Sequence, residues 1–199
     1  MVEPTQPGWF HTVTIDDAWQ VLAHLPAADL STFELIVMRQ STRKQRILNP
    51  AWGRAAFYFD VEEFNGRAIV LEAQNLEPII WPVSLTPERA RELDRLVEDG
   101  HAIHRGKRWY EIRSTQASLR NTVLYRTLLH EVGHHVDHRR CSDEEWDSLT
   151  AMEKEDYAHR YAAENAALLK WAGLIPFAPM VDAEALRSEG LDPSWFATQ

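Results

Sequence analysis

The chain has 199 residues, of which 45% are hydrophobic and 26% charged, a composition typical of a globular protein rather than a disordered or collagen-like one. A formal net charge of -9 argues against a nucleic-acid-binding protein, which needs a basic face to release counterions from phosphates. We expect no nucleic-acid partner, and also no membrane partner, since no run of about eighteen apolar residues is present.

The N-terminal segment and the cysteine content predict a cytoplasmic protein. Residues 1–17 lack the basic start and the apolar stretch of a secretory signal. Cys141 is the only cysteine, so no disulfide framework is expected. A chain of this size buries enough surface to fold without one. We therefore predict a single domain over residues 1–199, with a strand-rich first half and a helical second half.

The first half of the chain begins with a predicted helix around Ile15 to Leu25, which Pro26 ends. Apolar, β-prone runs then predict three strands, at Phe33 to Met38, Ala55 to Val61 and Ala68 to Ala73. These runs are short, as strands in globular domains usually are. We expect them to form a small mixed sheet.

A further helix and a hairpin are predicted in the middle of the chain. Thr86 is a favourable N-cap, Pro87 suits the first helical position, and Gly100 suits the position just past the end. After this helix, two short β-prone segments flank Arg105-Gly106, which predicts a hairpin over His101 to Arg113.

The second half of the chain has the periodicity of helices. Apolar residues recur at spacings of three and four between Val123 and Val136, which predicts a helix over about Leu119 to His138. Two capping-box patterns predict the next two helices; they are Ser142 with Glu145 and Thr150 with Glu153. The fold class is therefore predicted as α+β, with the sheet packed on the helices.

The residues that indicate chemistry are His130-Glu131-Val132-Gly133-His134. On a helix, His130 and His134 lie one turn apart on one face, close enough to bind one ion. Glu131 is offset by about 100°, so that its carboxylate faces a water on the metal. Zinc lowers the pKa of that water from about 15.7 towards 7, and a carboxylate then takes the proton. We expect Zn2+ at the two histidines and Glu131 as general base.

A catalytic zinc site needs a third protein ligand and an open fourth position. The apolar stripe of the following helix is centred near Glu155; its members are Ala158, Ala162, Ala166 and Leu169. A carboxylate on a buried face needs a partner, which favours Glu155 as the ligand over Glu153 and Glu164, whose directions lie well away from the stripe. His159 shares the face of Glu155 and is the alternative ligand, or a side chain that orients one.

We expect the other polar residues near the motif to have roles other than metal ligation. His138 lies one turn beyond His134, but three ligands from one helix would enclose an ion poorly, so a supporting or surface role is expected. We expect His135 and Asp137 to be solvated. Four side chains are candidates for stabilising the oxyanion of the reaction; they are His101, His104, Tyr157 and Tyr161.

The segment LLHEVGHHVDH, followed further along by EDYAHRYAAENAALL, resembles the gluzincin-type metallopeptidases. In that group a downstream helix of the form Glu-x-x-Ala-x-x-aromatic-Ala supplies the third ligand. The matching positions here are Glu155, Ala158, Tyr161 and Ala162. The nearest groups are the ImmA/IrrE-like peptidases and, less closely, the lethal-factor-like metallopeptidases. The resemblance covers Tyr125 to Leu169 and implies a zincin-like fold with Glu155 as metal ligand.

This chain departs from the ImmA/IrrE-like pattern at His159, where that group often has Asn.

The combined features predict a zinc endopeptidase with a restricted protein or peptide substrate. We expect the substrate to pair with a strand beside the cleft, such as one in the hairpin His101 to Arg113. Two alternatives stay open. One is a catalytically weak, zinc-containing regulatory or protein-binding module, against which the intact Glu131 argues. The other is a metal-dependent hydrolase of a small amide, which the size of the cleft would discriminate.

Overall fold

A computed structural model describes residues 1–48 and 50–197 of the chain. Within these ranges the fold is α+β, as predicted, but it has two three-stranded sheets where the sequence suggested one. The predicted domain over residues 1–199 also includes residues 49, 198 and 199, which lie outside the described ranges.

The first sheet contains β1 (Leu35–Arg39), β2 (Gly53–Val61) and β3 (Phe64–Glu72), in the order β1-β3-β2. It is mixed, since β1 is parallel to β3 and β2 is antiparallel to it. The three predicted strands are confirmed, although β2 and β3 both extend into polar and glycine residues that carry no apolar signal. The arrangement leaves β2 at one edge of the sheet.

The second sheet contains β4 (Ile79–Pro82), β5 (Ala102–Arg105) and β6 (Trp109–Arg113), all antiparallel in the order β4-β6-β5. The predicted hairpin is therefore confirmed as β5 and β6. The sequence did not predict β4, because four residues ending at a proline give too short a pattern to recognise.

The helices are named in chain order as follows: α1 (Ile15–Leu22), α2 (Ala27–Leu30), α3 (Arg43–Leu48), α4 (Pro87–Glu98), α5 (Gln116–Arg120), α6 (Leu128–Arg140), α7 (Asp143–Ser148), α8 (Ala151–Trp171) and α9 (Ala183–Ser188). The N-cap at Thr86 and both predicted capping boxes form. In the described parts of the chain, none of these helices is both long and apolar enough to cross a membrane.

The helix predicted over Leu119 to His138 is interrupted. A π-helical segment, Asn121–Thr127, separates α5 from α6, so the helix that carries the HExxH motif begins only at Leu128. Periodicity could not show this, because one widened turn shifts the apolar stripe without breaking it. π-helical turns inside longer helices often occur near functional sites.

The main core lies between the inner face of the first sheet and the helices. Its buried members come from several elements, and those of β3, the π-helical segment and α6 include Ile69, Leu71, Leu124, Leu128 and Leu129. Fully burying an aliphatic side chain of this size contributes about 1.5–3 kcal/mol each. The apolar stripe of α6 is therefore what fixes the helix against the sheet.

A buried ion pair connects α1 to α5, just before the π-helical segment. Arg120 donates to both carboxylate oxygens of Asp17, at 2.5 and 2.9 Å, and both side chains are almost inaccessible to solvent. Asp17 also accepts hydrogen bonds from the backbone N–H groups of Thr14 and Met180. The C-terminal part of the chain, α1 and α5 are thereby held at one point.

Candidate metal centre

The edge strand β2 runs alongside α6 with a constant register. Gly53 lies against Thr127, the Ala55 N–H donates to Glu131, and the Phe57 ring meets His135 edge-on at 5.1 Å between centroids. Two residues of a strand advance about 6.6 Å along its axis, and four residues of a helix advance about 6 Å. Every second residue of β2 therefore lies beside every fourth residue of the helix. Together they form two sides of a groove beside the motif.

Gly53 permits this close approach. A Cβ atom at Gly53 would lie 2.7 Å from Cγ2 of Thr127, 2.9 Å from the Val70 carbonyl oxygen and 3.3 Å from Cγ of Glu131. The first two separations are too short for any larger residue without a shift of the strand. The lack of a side chain here brings the backbone of β2 within hydrogen-bonding distance of Glu131.

A second glycine brings α8 against α6. A Cβ atom at Gly133 would lie 3.0 Å from the Cα atom of Ala158 and 3.1 Å from Cβ of Tyr161. Gly133 is one of the variable positions of the HExxH motif, and Ala158 lies one turn after Glu155. The close helix contact therefore directs the first turns of α8 towards the two histidines.

The three predicted metal ligands lie together. The Nε2 atoms of His130 and His134 are 3.1 Å apart, while the carboxylate oxygens of Glu155 lie 3.3 Å from His130 Nε2 and 3.5 Å from His134 Nε2. Two ligands on one tetrahedral zinc, with bonds of about 2.0–2.1 Å, are separated by roughly 3.3 Å. The separations and the donor types both fit such an ion.

His159, the alternative ligand, lies beside this cluster. Its Nε2 atom is 4.0 Å from a Glu155 oxygen, and the ligand atoms of His130, Glu155 and His159 are all within 4.8 Å of one another, so this trio can also hold a metal ion. The separations that involve His134 are the shorter ones. We therefore favour His130, His134 and Glu155 as the ligand set, with His159 as a fourth donor nearby.

The position of Glu155 differs from the expectation in one respect. Its side chain is 47% exposed, whereas those of His130 and His134 are 12% and 13% exposed. The apolar stripe of α8 packs against α6 from Ala158 onward, and the first turn of α8 borders the groove. The prediction of a buried carboxylate was therefore wrong, although Glu155 does face the histidines. Glu153 and Glu164 are exposed, as predicted.

The electrostatics of the cluster follow from these contacts. Hydrogen bonds with His130 and His134 hold the pKa of the Glu155 carboxyl well below its usual range. Glu131 is buried, which raises the pKa of its carboxyl, while the two imidazoles act in the opposite direction. Burial and the nearby His130 lower the pKa of His159 to about 3, so that its imidazole is neutral.

The cluster lies in an open cleft of about 990 Å3. Its walls include four residues of β2, two of β4 and part of α4; those of the strands are Gly53, Arg54, Ala55, Phe57, Ile79 and Trp81. No described residue of the β5–β6 hairpin lines it; the hairpin carries a separate depression of about 370 Å3. The expectation that the hairpin contains the strand beside the metal ligands was therefore wrong. The edge strand in that place is β2.

Two residues that were expected to be solvated are buried instead. His135 is 1% exposed and its Nε2–H donates to the Ala68 carbonyl oxygen of β3, and burial lowers its pKa to about 4. Asp137 is also 1% exposed and forms an ion pair with Arg140 at 2.7 Å. The helix α6 is covered on several sides by α8 and the first sheet, so little of its surface meets solvent.

His138 lies outside the ligand cluster. Its ring stacks on Phe57 at 4.6 Å between centroids and meets Trp146 edge-on at 5.1 Å. Phe57 and Trp146 line the cleft, so this aromatic group forms the wall at the C-terminal end of α6. The sequence offered no signal for it, because the three residues come from β2, α6 and α7.

None of the four oxyanion candidates is a described residue of the cleft lining. His101 is buried between the hydroxyl groups of Ser114 and Thr122, and Tyr161 donates to Asp29 at 2.7 Å. Arg126, which was not among the predicted site residues, does line the cleft. A signal was present, since Arg126 precedes His130 by one helical turn on the same face.

Comparisons with known proteins provide no further support for either family or fold. No family model, curated protein or solved structure matches the chain. The resemblance of the segment from Tyr125 to Leu169 to gluzincin-type peptidases therefore stays a prediction.

Proposed function

We propose that the protein is a zinc-dependent metallopeptidase with a zincin-like fold, in which His130, His134 and Glu155 hold the ion and Glu131 is the general base. One observation carries this proposal. Three donor groups from two helices lie within 3.5 Å of one another in an open cleft, beside a buried carboxylate. This arrangement is what metal-assisted hydrolysis requires.

The donor set supports zinc in particular. Two imidazole nitrogens and one carboxylate oxygen are ligands typical of a catalytic zinc site, which keeps one position open for water or substrate. Bound zinc supplies a Lewis acid that polarises the scissile carbonyl group and acidifies water. The half-exposed carboxylate of Glu155 is consistent with a site that is open to solvent on one side.

Glu131 has the geometry of a proton carrier. It follows His130 directly, it is buried beside the histidines, and the Ala55 N–H fixes its carboxylate. In the proposed reaction the carboxylate takes a proton from the attacking water and passes it to the nitrogen of the leaving amine. Its fixed position contributes because a base must lie within hydrogen-bonding distance of the proton that it removes.

The edge strand β2 supports a peptide as the substrate rather than a small amide. Arg54, Ala55 and Phe57 line the cleft, and within the described residues β2 has a strand partner, β3, on one side only. An extended peptide can add to such an edge through main-chain hydrogen bonds that demand little of its sequence. A cleft of about 990 Å3 also lies at the upper end of the range for small-molecule sites.

A second candidate function is a catalytically weak zinc module that binds or regulates another protein. His159 favours it, because a fourth protein ligand would fill the position that hydrolysis needs open. The visible spectrum of the cobalt-substituted protein distinguishes the two. A spectrum that changes when a hydroxamate is added indicates an open site, and an unchanged one indicates a site closed by His159.

The experiment that tests the proposal combines elemental analysis with cleavage of a peptide library. We expect one zinc per chain and cleavage by the wild-type protein, both lost in the double variant His130→Ala, His134→Ala. Glu164→Gln is a matched control, because it removes an exposed carboxylate of α8 outside the cluster. Full zinc occupancy in the double variant would exclude the assigned site.

A further inference from the structure

Two cations that stack on tryptophan rings line the cleft. The ammonium group of Lys154 lies 4.6 Å from the centre of the Trp146 ring, and the guanidinium group of Arg89 lies 5.1 Å from that of Trp81. All four side chains belong to the cleft lining. Such stacking limits the directions in which a long cationic side chain can point.

The two pairs lie on opposite sides of the metal cluster. Arg89 belongs to α4, and Glu92 of that helix binds Arg126, which lies one turn before His130. Trp146 packs against His138, which lies one turn after His134. The pair Arg89–Trp81 is thus towards the N-terminal end of α6, and the pair Lys154–Trp146 is towards its C-terminal end.

These two cations differ from the other basic residues of the cleft. Arg95 and Arg126 form ion pairs with Glu92, and Arg54 forms one with Glu72. For Arg89 and Lys154, no carboxylate lies at ion-pair distance within residues 1–48 and 50–197.

The balance of charge on the walls is also unlike that of the whole chain. Two of the acidic lining residues, Glu131 and Glu155, are the proposed base and ligand, and Glu92 is paired. Among the described lining residues, Glu88 is then the one acidic group that remains, against the two cations Arg89 and Lys154, in a chain whose net charge is -9. A cleft less negative than its surroundings attracts negative groups selectively.

We propose that the cleft selects acidic peptides, with Asp or Glu side chains on both sides of the bond that is cleaved. One carboxylate contacts Lys154 and the other contacts Arg89. The placement of a scissile peptide bond between the two acidic side chains rests on the proposed peptidase function, whereas the binding of an acidic peptide does not. Complementary charge of this kind sets partner choice more than it sets affinity.

The experiment measures binding to the Glu131→Gln protein by fluorescence anisotropy. The probes are a fluorescein-labelled ten-residue peptide with two glutamates at each end and a twin with glutamines in their place. We expect the glutamate peptide to bind about tenfold more tightly at low salt. Lys154→Gln and Arg89→Gln should each weaken its binding about threefold, and the double variant should remove the preference.

Two matched variants control for charge alone. Lys170→Gln on α8 and Arg91→Gln on α4 remove an exposed cation from the same helices outside the cleft, and they should leave the preference unchanged. Equal binding of the two peptides, or equal losses in the control variants, would overturn the inference. Absence of zinc or of cleavage in the wild-type protein would instead overturn the proposed function and leave the anisotropy result standing.

Discussion

Gly133 of α6 lies so close to Ala158 of α8 that a methyl group on Gly133 would be 3.0 Å from the Ala158 Cα atom. This contact sets the distance between the helix that carries His130 and His134 and the helix that carries Glu155. A residue inside the motif without a chemical role of its own therefore controls the geometry of the proposed metal ligands.

Gly133→Ala should separate α6 from α8. Overpacking of this kind costs about 1–3 kcal/mol of unfolding free energy, and it should also weaken zinc binding because Glu155 moves away from the histidines. Denaturant unfolding and chelator competition measure the two effects. Ala167→Leu, on the exposed side of α8, is the control and should change neither. Unchanged zinc affinity in a destabilised Gly133→Ala protein would show that the contact between α6 and α8 does not determine zinc binding.

The ranking of zinc affinities should identify the third ligand. Glu155→Ala should weaken zinc binding far more than Glu153→Ala or Glu164→Ala, whose side chains are exposed. His159→Ala should be intermediate, since loss of a side chain that supports a ligand typically costs about 10–100-fold. Chelator competition gives all four values. If His159→Ala released zinc while Glu155→Ala retained it, the site would be one of three histidines.

Asp17→Ala should be severely destabilising, because Arg120 would keep a buried charge without its partner. Removing one member of a buried ion pair costs about 3–5 kcal/mol. Asp16→Ala, an exposed neighbour in the same helix, serves as the control. The double variant Asp17→Leu, Arg120→Met should recover much of the loss in denaturant unfolding. A double variant as unstable as Asp17→Ala would show that the backbone hydrogen bonds to Asp17, which both variants lose, matter more than the unpaired charge.

His101 should make the fold sensitive to acid. Burial lowers the pKa of its imidazole below 6.5, so the unfolded chain binds the proton more readily than the folded one. The stability that the neutral ring contributes is present above about pH 6.5 and is lost as the pH falls below that value. His101→Gln should flatten this part of the stability profile, and the exposed His24→Gln should not. Identical profiles for His101→Gln and the wild type would contradict this.

The sequence predicted the local elements well. The structure forms the predicted N-cap at Thr86, the two capping boxes and the apolar stripe around Leu128. Each of these signals acts over one or two helical turns. Local hydrogen bonds and periodicity are enough for such predictions. The α+β class follows from the same signals.

The features that were missed depend on distant parts of the chain. The burial of His135 and Asp137 results from the packing of α8 and the first sheet around α6, which periodicity within one helix cannot show. The strand beside the cleft is β2 rather than the predicted hairpin, because Gly53 lets β2 approach Glu131. Likewise, no local sequence pattern predicted the π-helical segment before Leu128 or the cation–aromatic pairs.

The turnover of Glu131→Gln tests the proposed function most directly. The substitution keeps the size of the side chain and the neighbouring ligands, so zinc content and thermal unfolding should match those of the wild type. Turnover on a peptide that the wild-type protein cleaves should fall at least ~100-fold, since general-base catalysis contributes about 10²–10⁴. Wild-type turnover in a zinc-loaded Glu131→Gln protein would contradict the assignment of Glu131 as the base.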